Sequence, residues 1–362
     1  MSKHGRILVA MSGGVDSSVA AVMLHEQGYE VIGLTMKTWD YASSGINSKE
    51  TGCCSLDSIN DARTLAVNYG FPHYILDIRD EFGDFVIDNF VDEYVAGRTP
   101  NPCVLCNTHI KWNALLKRAN KLDCEFIATG HYANIRKHDN DRYVISKGRD
   151  ENKDQSYVLW GVTQENLART KFPLGSFAKS EIRQMALDMG QAELANKSES
   201  YEICFVPDND YRAFLKHRLP ELENEVKGGD FVLTDGTKVG THQGYPFYTI
   251  GQRRGLNIAL GHPMFVTQIL PESNTVVLGT QDELQKMSAK VRGLNLIKYA
   301  SITEPLEVIT KIRYKDAGAL SYIYQENDLM HINFHHSVSG IAPGQSAVFY
   351  EGNDLLGGGF LI

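Results

Sequence analysis

The sequence contains no run of about 18 consecutive apolar residues, which is the length that a transmembrane helix needs. Its opening, Met-Ser-Lys-His-Gly-Arg, leads directly into a predicted strand without the apolar stretch of a secretory signal. We therefore expect a cytoplasmic protein with no membrane partner. Low-complexity stretches and internal repeats are also absent, which excludes a solenoid or a disordered linker.

The chain lacks an excess of positive charge and is poor in cysteine. It has 36 Lys and Arg against 44 Asp and Glu, a formal net charge of −8, so any nucleic acid must be bound by local basic patches. Its 6 cysteines are not expected to form a disulfide framework in a reducing compartment, which leaves chemistry or metal binding as their use. Cys124 is expected to be a small buried hydrophobe, while Cys53 and Cys54 have no informative context.

With 362 residues, the chain exceeds the size at which one hydrophobic core stops growing. Up to about residue 135, short β-branched runs alternate with helical periods, which predicts an α/β fold with a doubly wound parallel sheet. After about residue 208, glycine-rich turns separate short runs that are typical of antiparallel β structure. We predict an α/β nucleotide domain over 1–210, a small β-rich central domain over 211–283 and a C-terminal β-barrel over 284–362.

The elements that support this division are short and well separated. The predicted strands of the first domain are Arg6–Met11, Val31–Met36, His73–Ile78 and Phe126–Thr129, and its predicted helices are Ser55–Tyr69, Glu81–Val95, His109–Lys121 and Lys179–Met189. The later β runs are Phe231–Leu233, Thr275–Leu278, Leu306–Ile312, Met330–Phe334 and Ala347–Tyr350. Ligands of a parallel sheet bind at the carboxyl ends of its strands, so the functional residues are expected there.

A glycine pair follows the first predicted strand, in Leu-Val-Ala-Met-Ser-Gly-Gly-Val-Asp-Ser-Ser. Gly13 and Gly14 allow positive φ and close approach of the backbone. Asp16 and Ser17 begin a helix whose free N–H groups favour an anion. The string lacks the lysine of a Walker A loop and the spacing of a dinucleotide turn. It predicts a phosphate-binding turn and resembles the pyrophosphate loop of ATP pyrophosphatases, which cleave ATP between its α and β phosphates.

Two thiols lie three positions apart in Thr-Pro-Asn-Pro-Cys-Val-Leu-Cys-Asn, residues 99–107. The prolines and a helix start should hold Cys103 and Cys106 on one rigid corner, where a helix N-terminus lowers a thiol pKa from about 8.5 toward neutrality. Cys204 lies far downstream in Glu-Ile-Cys-Phe-Val. Zinc knuckles, redox pairs and plain turns all use Cys-x-x-Cys, so the spacing alone leaves the chemistry open.

Further motifs follow in a fixed order. They are Ala-Thr-Gly-His-Tyr-Ala at 128–133, Lys-Asp-Gln-Ser-Tyr at 153–157, Ile-Cys-Phe-Val at 203–206 and Tyr-Thr-Ile-Gly-Gln-Arg at 248–253. Together with the glycine turn and the Thr-Pro-Asn-Pro segment, they resemble the bacterial tRNA-specific 2-thiouridylase family over essentially the whole chain. That family is a group of sulfurtransferases that convert the wobble uridine of certain tRNAs to 2-thiouridine, with AMP and pyrophosphate as products.

The resemblance implies an ATP site with Mg²⁺. Uridine O2 is a poor leaving group, and adenylation by ATP would activate it. The glycine turn would hold the phosphates, while Met36 and Gly130 would border the adenine and the ribose. The implied ATP-binding residues are Ala10, Met11, Ser12, Gly13, Gly14, Val15, Asp16, Ser17, Met36 and Gly130.

The resemblance also implies a division of labour between two thiols. Cys204 would carry a persulfide loaded by a sulfur carrier or a cysteine desulfurase, and Cys106 would act as a nucleophile that closes a disulfide onto it. Cys103 departs from the family, whose well-known members have Asp there. A free thiol has a pKa about four to five units above that of a carboxyl, so carboxylate base catalysis is unavailable and its role stays open. Cys103, Cys106 and Cys204 could instead ligate an iron–sulfur cluster of the [4Fe-4S] type.

A tRNA partner, with no DNA partner, follows from the same resemblance. The target base must be extruded, because C2 of a stacked uridine is inaccessible. Asn101, Pro102 and Cys103 would touch this base, and Lys153, Asp154, Gln155, Arg313 and Tyr314 would contact the tRNA. Further basic candidates are Lys147, Arg149, Arg253, Arg254 and Lys311. His131 and His242 are expected to be turn histidines satisfied by the backbone, and Tyr201, where the family often has Gln, puts the loop around Cys204 in question.

Two other functions remain open at this point. A pyrophosphate-loop ligase that captures ammonia would need no persulfide, so Cys106 and Cys204 would be idle in it. A tRNA-binding or metal-binding module without catalysis would show no exchange of pyrophosphate into ATP in the presence of undermodified tRNA.

Overall fold

The computed structural model describes residues 2–39, 55–197 and 203–362. Cys53, Cys54 and Tyr201 therefore lie outside the described residues.

The strands are β1 Arg6–Ala10, β2 Glu30–Lys37, β3 His73–Asp77, β4 Phe126–Ala128, β5 Ala133–Lys137, β6 Tyr143–Lys147, β7 Thr170–Lys171, β8 Gly229–Leu233, β9 Lys238–His242, β10 Phe265–Leu270, β11 Thr275–Gly279, β12 Gln285–Leu296, β13 Leu306–Lys311, β14 Ala319–Glu326, β15 Leu329–Ser339, β16 Ser346–Glu351 and β17 Asp354–Leu361. The α-helices are α1 Val15–Glu26, α2 Leu56–Tyr69, α3 Arg79–Phe82, α4 Asp88–Val95, α5 Pro102–Leu105, α6 Trp112–Lys121, α7 Gln164–Ala168, α8 Lys179–Asp188, α9 Ala192–Asn196, α10 Tyr211–Arg218 and α11 Leu222–Val226.

The first sheet is parallel and has the strand order β3-β2-β1-β4-β7. Helices cover both of its faces, as alternate residues of β1 show. Leu8 packs in one cluster with Leu115 of α6, whereas Ile7 packs in another with Val22 of α1 and Leu65 of α2. The predicted doubly wound α/β fold is therefore confirmed. Strand β2 lies on one side of β1, and β4 lies on the other. The strand order therefore reverses at β1, and ligands of such sheets bind in the crevice at the carboxyl end of that strand.

Helix α1 is buried on two sides. Val15 and Val19 pack against Ile182 of α8, while Val22 and Leu24 belong to the cluster below the sheet. A helix covered on two sides holds its N-terminus in a fixed position relative to the sheet. The turn that precedes α1 is thus part of the rigid core.

The thiol-bearing segment is helical from its second proline, Pro102. It runs through α5, a π-helical turn over Cys106–Lys111 and α6. The predicted start at His109 is therefore too late, because Pro102 occupies the first helical position, where its fixed φ suits a helix. Cys103 lies in the first turn and Cys106 begins the π-helical turn. Such turns are inserted most often at functional sites.

The central sheet has the order β10-β11-β8-β9. Its β8–β11 pair is parallel, while β8–β9 and β10–β11 are antiparallel. The expectation of purely antiparallel structure is wrong at this pair, because a long connection separates the two strands in the chain and no hairpin forces their direction.

The last sheet forms a barrel from β12 to β17, closed by pairing of β12 with β17. The hairpin β5–β6 extends this sheet, since Ser146 of β6 pairs with Asp354 of β17. Asp354 also accepts from Lys298 Nζ at 2.8 Å and from Arg136 at 2.8 Å. A hairpin from the early part of the chain is thus fixed to the barrel.

The predicted division of the chain into domains at residues 210 and 283 stays a prediction. In the described part of the chain, no helix combines the length and apolarity needed to cross a bilayer.

Candidate active site

The glycine turn after β1 is tightly packed. Gly13 has a φ of 70°, and a side chain there would lie 1.9 Å from the backbone oxygen of Ser58. The hydroxyl of Ser17 accepts from Ser12 N at 3.0 Å and lies 3.2 Å from Gly14 O, to which it donates. The first-turn N–H groups of α1 have no intrahelical acceptor, as at every helix N-terminus. The turn therefore presents backbone N–H groups that suit an anion, as the sequence predicts.

Gly130 and Met36 bring two further strands to this turn. A side chain at Gly130 would lie 2.8 Å from Ser17 N, so only glycine lets the end of β4 approach α1 so closely. At the end of β2, Thr35 Oγ1 donates to Met11 O at 2.8 Å, and the next residue is Met36. The structure thus gathers the predicted ATP-binding residues at the carboxyl ends of three neighbouring strands. These residues are Ala10, Met11, Ser12, Gly13, Gly14, Val15, Asp16, Ser17, Met36 and Gly130.

A buried lysine neutralises the carboxylate of this turn. Lys179 Nζ lies 2.6 and 2.7 Å from the two carboxylate oxygens of Asp16, and Tyr132 OH donates to Asp16 Oδ1 at 2.7 Å. The Lys179 side chain is only 9% exposed. The sequence analysis missed this residue, although one signal was available. Lys179 begins α8, where the helix dipole disfavours a cation, so a lysine there calls for an anionic partner.

A second lysine secures the other side of the turn. Lys197 Nζ donates to Gly13 O at 3.1 Å, to Ser58 Oγ at 3.2 Å and to Asp61 Oδ2 at 2.7 Å. It therefore ties the glycine turn to α2. Nothing in the sequence around Lys197 distinguishes it from a surface lysine, so this contact could not be predicted.

Cys106 and Cys204 contact one apolar cluster. Cys106 is buried within the cluster, and Cys204 is half-buried against it. Phe205 anchors the segment of Cys204, with its ring centroid 5.1 Å from that of Phe90 and 5.7 Å from that of Phe82. These two residues, which are far apart in sequence, thus contact the same apolar cluster.

The same cluster reaches the nucleotide side of the sheet. Met36, at the end of β2, packs against it as Cys204 does. One apolar cluster therefore connects a predicted adenine contact with both thiols.

Cys103 and His131 lie around the charge of Lys111. Cys103 keeps exposed surface, yet protein surrounds its thiol closely enough that desolvation raises the pKa, against the lowering effect of Lys111. The predicted fall of the thiol pKa at the helix start is wrong for Cys103, because loss of hydration outweighs the nearby positive charge. Desolvation, followed by the charge of Lys111, lowers the pKa of His131 to about 3. His131 is therefore neutral at pH 7.

The prediction for His131 needs one correction. Its Nδ1 lies 2.7 Å from the hydroxyl of Thr129, so a side chain rather than the backbone satisfies it. For His242 the prediction holds at one ring nitrogen: Nδ1 accepts from Gly244 N at 3.0 Å, whereas the buried Nε2 has no hydrogen-bond partner among the described residues. Cys124 is buried as expected, and desolvation raises its pKa to about 11.

The described residues contain no group of three or more His, Cys, Asp or Glu side chains that could hold a metal ion. Cys103, Cys106 and Cys204 thus do not assemble into a metal-binding group in this arrangement. The iron–sulfur cluster does not fit these three thiols as they are placed.

The predicted base-contacting loop is held by the barrel. Gln345 Nε2 donates to Pro100 O at 2.8 Å, and Thr99 N donates to Pro343 O at 2.8 Å. Asn101 Nδ2 lies 3.4 Å from Ser346 Oγ. The barrel therefore fixes the loop that leads into Pro102 and Cys103.

The predicted tRNA contacts in Lys153-Asp154-Gln155 shape their own loop. Asp154 Oδ1 accepts from Gly148 N at 3.0 Å and from Ser156 N at 3.1 Å. Gln155 N donates to Tyr132 O at 2.9 Å, and its Oε1 accepts from Tyr132 N at 3.0 Å. Since Tyr132 also contacts Asp16, this loop is joined to the glycine turn. Lys153 lies in the same loop, where its N–H donates to Asp150 O.

Arg313 and Tyr314 follow β13. Arg313 donates to Gly340 O at 2.8 Å and to Ile250 O at 3.1 Å, which ties the barrel to the central part of the chain. Tyr314 is 40% exposed, and its ring centroid lies 6.0 Å from that of Tyr157. Part of the Tyr314 side chain thus stays exposed.

Three family models match consecutive parts of the chain. They are described as a tRNA methyl transferase HUP domain over residues 5–208, a tRNA methyl transferase PRC-barrel domain over 212–280 and an aminomethyltransferase beta-barrel domain over 286–361. A solved 4-thiouridine synthetase–RNA complex with bound ATP aligns with 60% of this chain and 51% of its own, at a TM-score of 0.36 and 18% identity. That likeness is too weak to add to the assignment.

Curated relatives match over almost the full length. The tRNA-specific 2-thiouridylase MnmA of Amoebophilus asiaticus is 64% identical over 99% of this chain and 96% of its own. Those of Cytophaga hutchinsonii and Salinibacter ruber are 66% and 58% identical, each over 100% of this chain and over 98% and 95% of their own. The chain therefore belongs to the tRNA-specific 2-thiouridylase family.

Proposed function

We propose that this protein thiolates the wobble uridine of tRNA at C2, with ATP as the activating substrate and a cysteine persulfide as the sulfur source. The observation that carries the proposal is the single apolar cluster shared by Met36, Cys106 and Cys204. This cluster joins the predicted nucleotide side of the parallel sheet to the two thiols. The reaction needs a bound nucleotide as well as the thiols.

In the first step, O2 of the uridine attacks the α-phosphorus of ATP, and pyrophosphate leaves. The glycine turn and the N-terminus of α1 hold the phosphates through backbone N–H groups. Asp16 fits Mg²⁺ together with the phosphates, because this ion is usually bound by one or two carboxylates plus substrate oxygens. The ion would neutralise phosphate charge.

In the second step, the terminal sulfur of a Cys204 persulfide attacks C2, the C2–O2 bond breaks, and AMP leaves with that oxygen. The base is then joined to Cys204 through a disulfide. Cys106 attacks the Sγ of Cys204 and forms the Cys106–Cys204 disulfide, while the outer sulfur stays on the base as 2-thiouridine. An external dithiol reduces the enzyme disulfide. A sulfur carrier or a cysteine desulfurase then reloads Cys204.

The tRNA is held by surfaces on both sides of the thiols. We assign the target base to Asn101, Pro102 and Cys103, and further tRNA contacts to Lys153, Asp154, Gln155, Arg313 and Tyr314. At pH 7 His131 is neutral and the raised pKa of Cys103 keeps its thiol protonated, so neither residue offers an anionic base. Because the proposed substrate is a tRNA, we also propose that the enzyme acts in the cytoplasm.

Two chemical features separate this proposal from its alternatives. The family descriptions name methyl transfer, but that reaction uses neither an ATP-pyrophosphate turn nor a pair of thiols. An ammonia-capturing ligase would use the turn and leave Cys106 and Cys204 without a role.

Mass spectrometry of nucleosides tests the proposal. Undermodified tRNA is incubated with the protein, ATP and a persulfide donor, and we expect 2-thiouridine from the wild type. Cys106→Ser and Cys204→Ser should produce none. Cys124→Ala is the matched control, because Cys124 lies in a different cluster, and it should keep full activity. Turnover that survives in Cys204→Ser would contradict the persulfide step.

A further inference from the structure

The proposed reaction gives Cys103 no covalent step, although the structure places this residue one helical turn from Cys106. Both lie in one helical segment, made of α5 and the π-helical turn that follows it. The N–H of Cys106 donates to Cys103 O as well as to Pro102 O. A bond to the third preceding residue is the 3₁₀ pattern, in which the side chains at i and i+3 lie above one another. The two cysteine side chains therefore leave the same side of the segment.

This arrangement brings a disulfide between the two residues within reach. Helical residues three positions apart have Cβ atoms about 5–6 Å apart, and a disulfide needs about 3.5–4.5 Å. An adjustment of a single turn closes that gap. The sequence left three uses open for the Cys-x-x-Cys spacing, namely a zinc knuckle, a redox pair and a plain turn. A redox pair fits this geometry, whereas the described residues contain no group of three or more side chains that could hold a metal ion.

The three thiols of the site differ in exposure. Cys106 is only 7% exposed and Cys204 is half-buried, whereas Cys103 is exposed. Reduction of a disulfide by a dithiol requires that one of its sulfur atoms be accessible to the attacking thiolate. A disulfide between Cys106 and Cys204 offers such a reductant little surface. One between Cys103 and Cys106 has an exposed member.

We propose that Cys103 is the resolving thiol of the catalytic cycle, an inference that rests on the proposed function. After the thiolated base has left, the sulfur of Cys103 loses its proton and attacks the Sγ of Cys106. The bond between Cys106 and Cys204 breaks, and Cys204 leaves as a thiolate that takes up a proton. A Cys103–Cys106 disulfide replaces the first one. The exchange moves the disulfide without net oxidation or reduction.

The exchange separates reduction from reloading. An external dithiol attacks the exposed sulfur of Cys103, supplies two electrons and two protons to the pair, and is itself oxidised to a disulfide. Cys204 is already a thiol before this reduction begins. A persulfide donor can therefore load Cys204 while the reductant acts on the other two residues.

The position of Cys103, rather than its acidity, favours this step. Desolvation raises the pKa of its thiol against the lowering effect of Lys111, so little thiolate is present at pH 7. A nucleophile held one helical turn from its target gains a large effective concentration over a reductant in solution. The barrel helps to hold it there, because Gln345 Nε2 donates to Pro100 O at 2.8 Å in the loop that leads into α5.

Disulfide mapping after turnover without a reductant tests this role. The full chain is loaded with persulfide, incubated with ATP and undermodified tRNA, quenched with an alkylating reagent and digested with trypsin. Cys103 and Cys106 fall in one tryptic peptide, residues 99–111, and Cys204 falls in another. A Cys103–Cys106 disulfide therefore appears as one peptide that lacks two hydrogen atoms, whereas a Cys106–Cys204 disulfide joins two peptides.

In the wild type, we expect the joined peptides first and the disulfide within residues 99–111 at the end, each counted per 2-thiouridine formed. Cys103→Ser should lose the second disulfide and retain the first. Reduction of that retained disulfide by dithiothreitol should be at least about tenfold slower than reduction of the wild type, because its sulfur atoms are less accessible. Cys124→Ala is the matched control, since it removes a buried thiol from a different cluster, and it should behave as the wild type does. A thermal melt checks that each variant is folded.

The possible failures are distinguishable. A wild type that forms 2-thiouridine and retains only the Cys106–Cys204 disulfide would overturn the resolving role and leave the proposed function intact. An extra sulfur atom on Cys103 before tRNA is added would also overturn it, because Cys103 would then receive sulfur from the donor. A wild type that forms neither 2-thiouridine nor either disulfide would overturn the proposed function itself.

Discussion

Replacing Lys179 by methionine should destabilise the nucleotide side of the molecule, because it leaves the carboxylate of Asp16 without its counter-charge. Both oxygens of Asp16 lie within 2.7 Å of Lys179 Nζ. Breaking a fully buried pair costs about 3–5 kcal/mol, whereas an exposed pair contributes about 0–1 kcal/mol. The side chains here are 9% and 33% exposed, which places this pair between the two limits. We expect a loss of about 2 kcal/mol in the free energy of unfolding.

The assay is a double-mutant cycle followed by thermal unfolding without ATP. Lys179→Met should lower the melting temperature of the transition that includes the first sheet by about 4–8 °C. Asp16→Asn alone should also be destabilising, and the double variant should be little worse than either single one. The exposed pair Lys238–Asp230, at 2.6 Å, is the matched control, and Lys238→Met should cost less than about 1 kcal/mol. Losses that simply add, with a coupling energy below about 0.5 kcal/mol, would refute the reasoning.

Two other predictions follow from the same site. Gly130→Ala should weaken ATP binding at least tenfold by calorimetry, because its Cβ would lie 2.8 Å from Ser17 N; Gly83→Ala, with open space around it, should not. The pKa of His131 is lowered to about 3 in the folded protein. In the unfolded chain the same side chain binds a proton near pH 6.5, so the free energy of unfolding decreases as the pH drops below about 6.5. Between pH 7 and 5 the wild type should lose about 2 kcal/mol of unfolding free energy through His131, and His131→Asn should abolish this part of the loss. His217→Asn, at an exposed position, is the control. A pH profile that His131→Asn leaves unchanged would contradict the prediction.

The parallel sheet could be predicted because its strands are continuous apolar runs separated by helical periods. The glycine turn was equally visible, since Gly13 and Gly14 directly follow the first apolar run and precede a helix. The predicted start of the thiol-bearing helix was too late. In the sequence alone, Pro102 is typical of a loop, and only the structure shows that it occupies the first helical position.

The remaining features depend on contacts between distant parts of the chain. The pairing of Lys179 with Asp16 joins residues that no local pattern connects. The hairpin β5–β6 was not assigned to the barrel sheet, because its pairing with β17 is set by Ser146 and Asp354 rather than by its own alternation. The position of Cys204 beside the cluster of Cys106 required a family resemblance, since neither segment encodes it alone.

Transfer of the uridine oxygen to AMP tests the central claim most directly. A tRNA carrying ¹⁸O at O2 of its wobble uridine is incubated with the protein, ATP and a persulfide donor, and the AMP is analysed by mass spectrometry. Adenylation at O2 followed by sulfur attack at C2 predicts one ¹⁸O atom in AMP for each 2-thiouridine formed. Unlabelled AMP alongside 2-thiouridine would contradict this account, because the oxygen would then have left by a route that ATP does not activate.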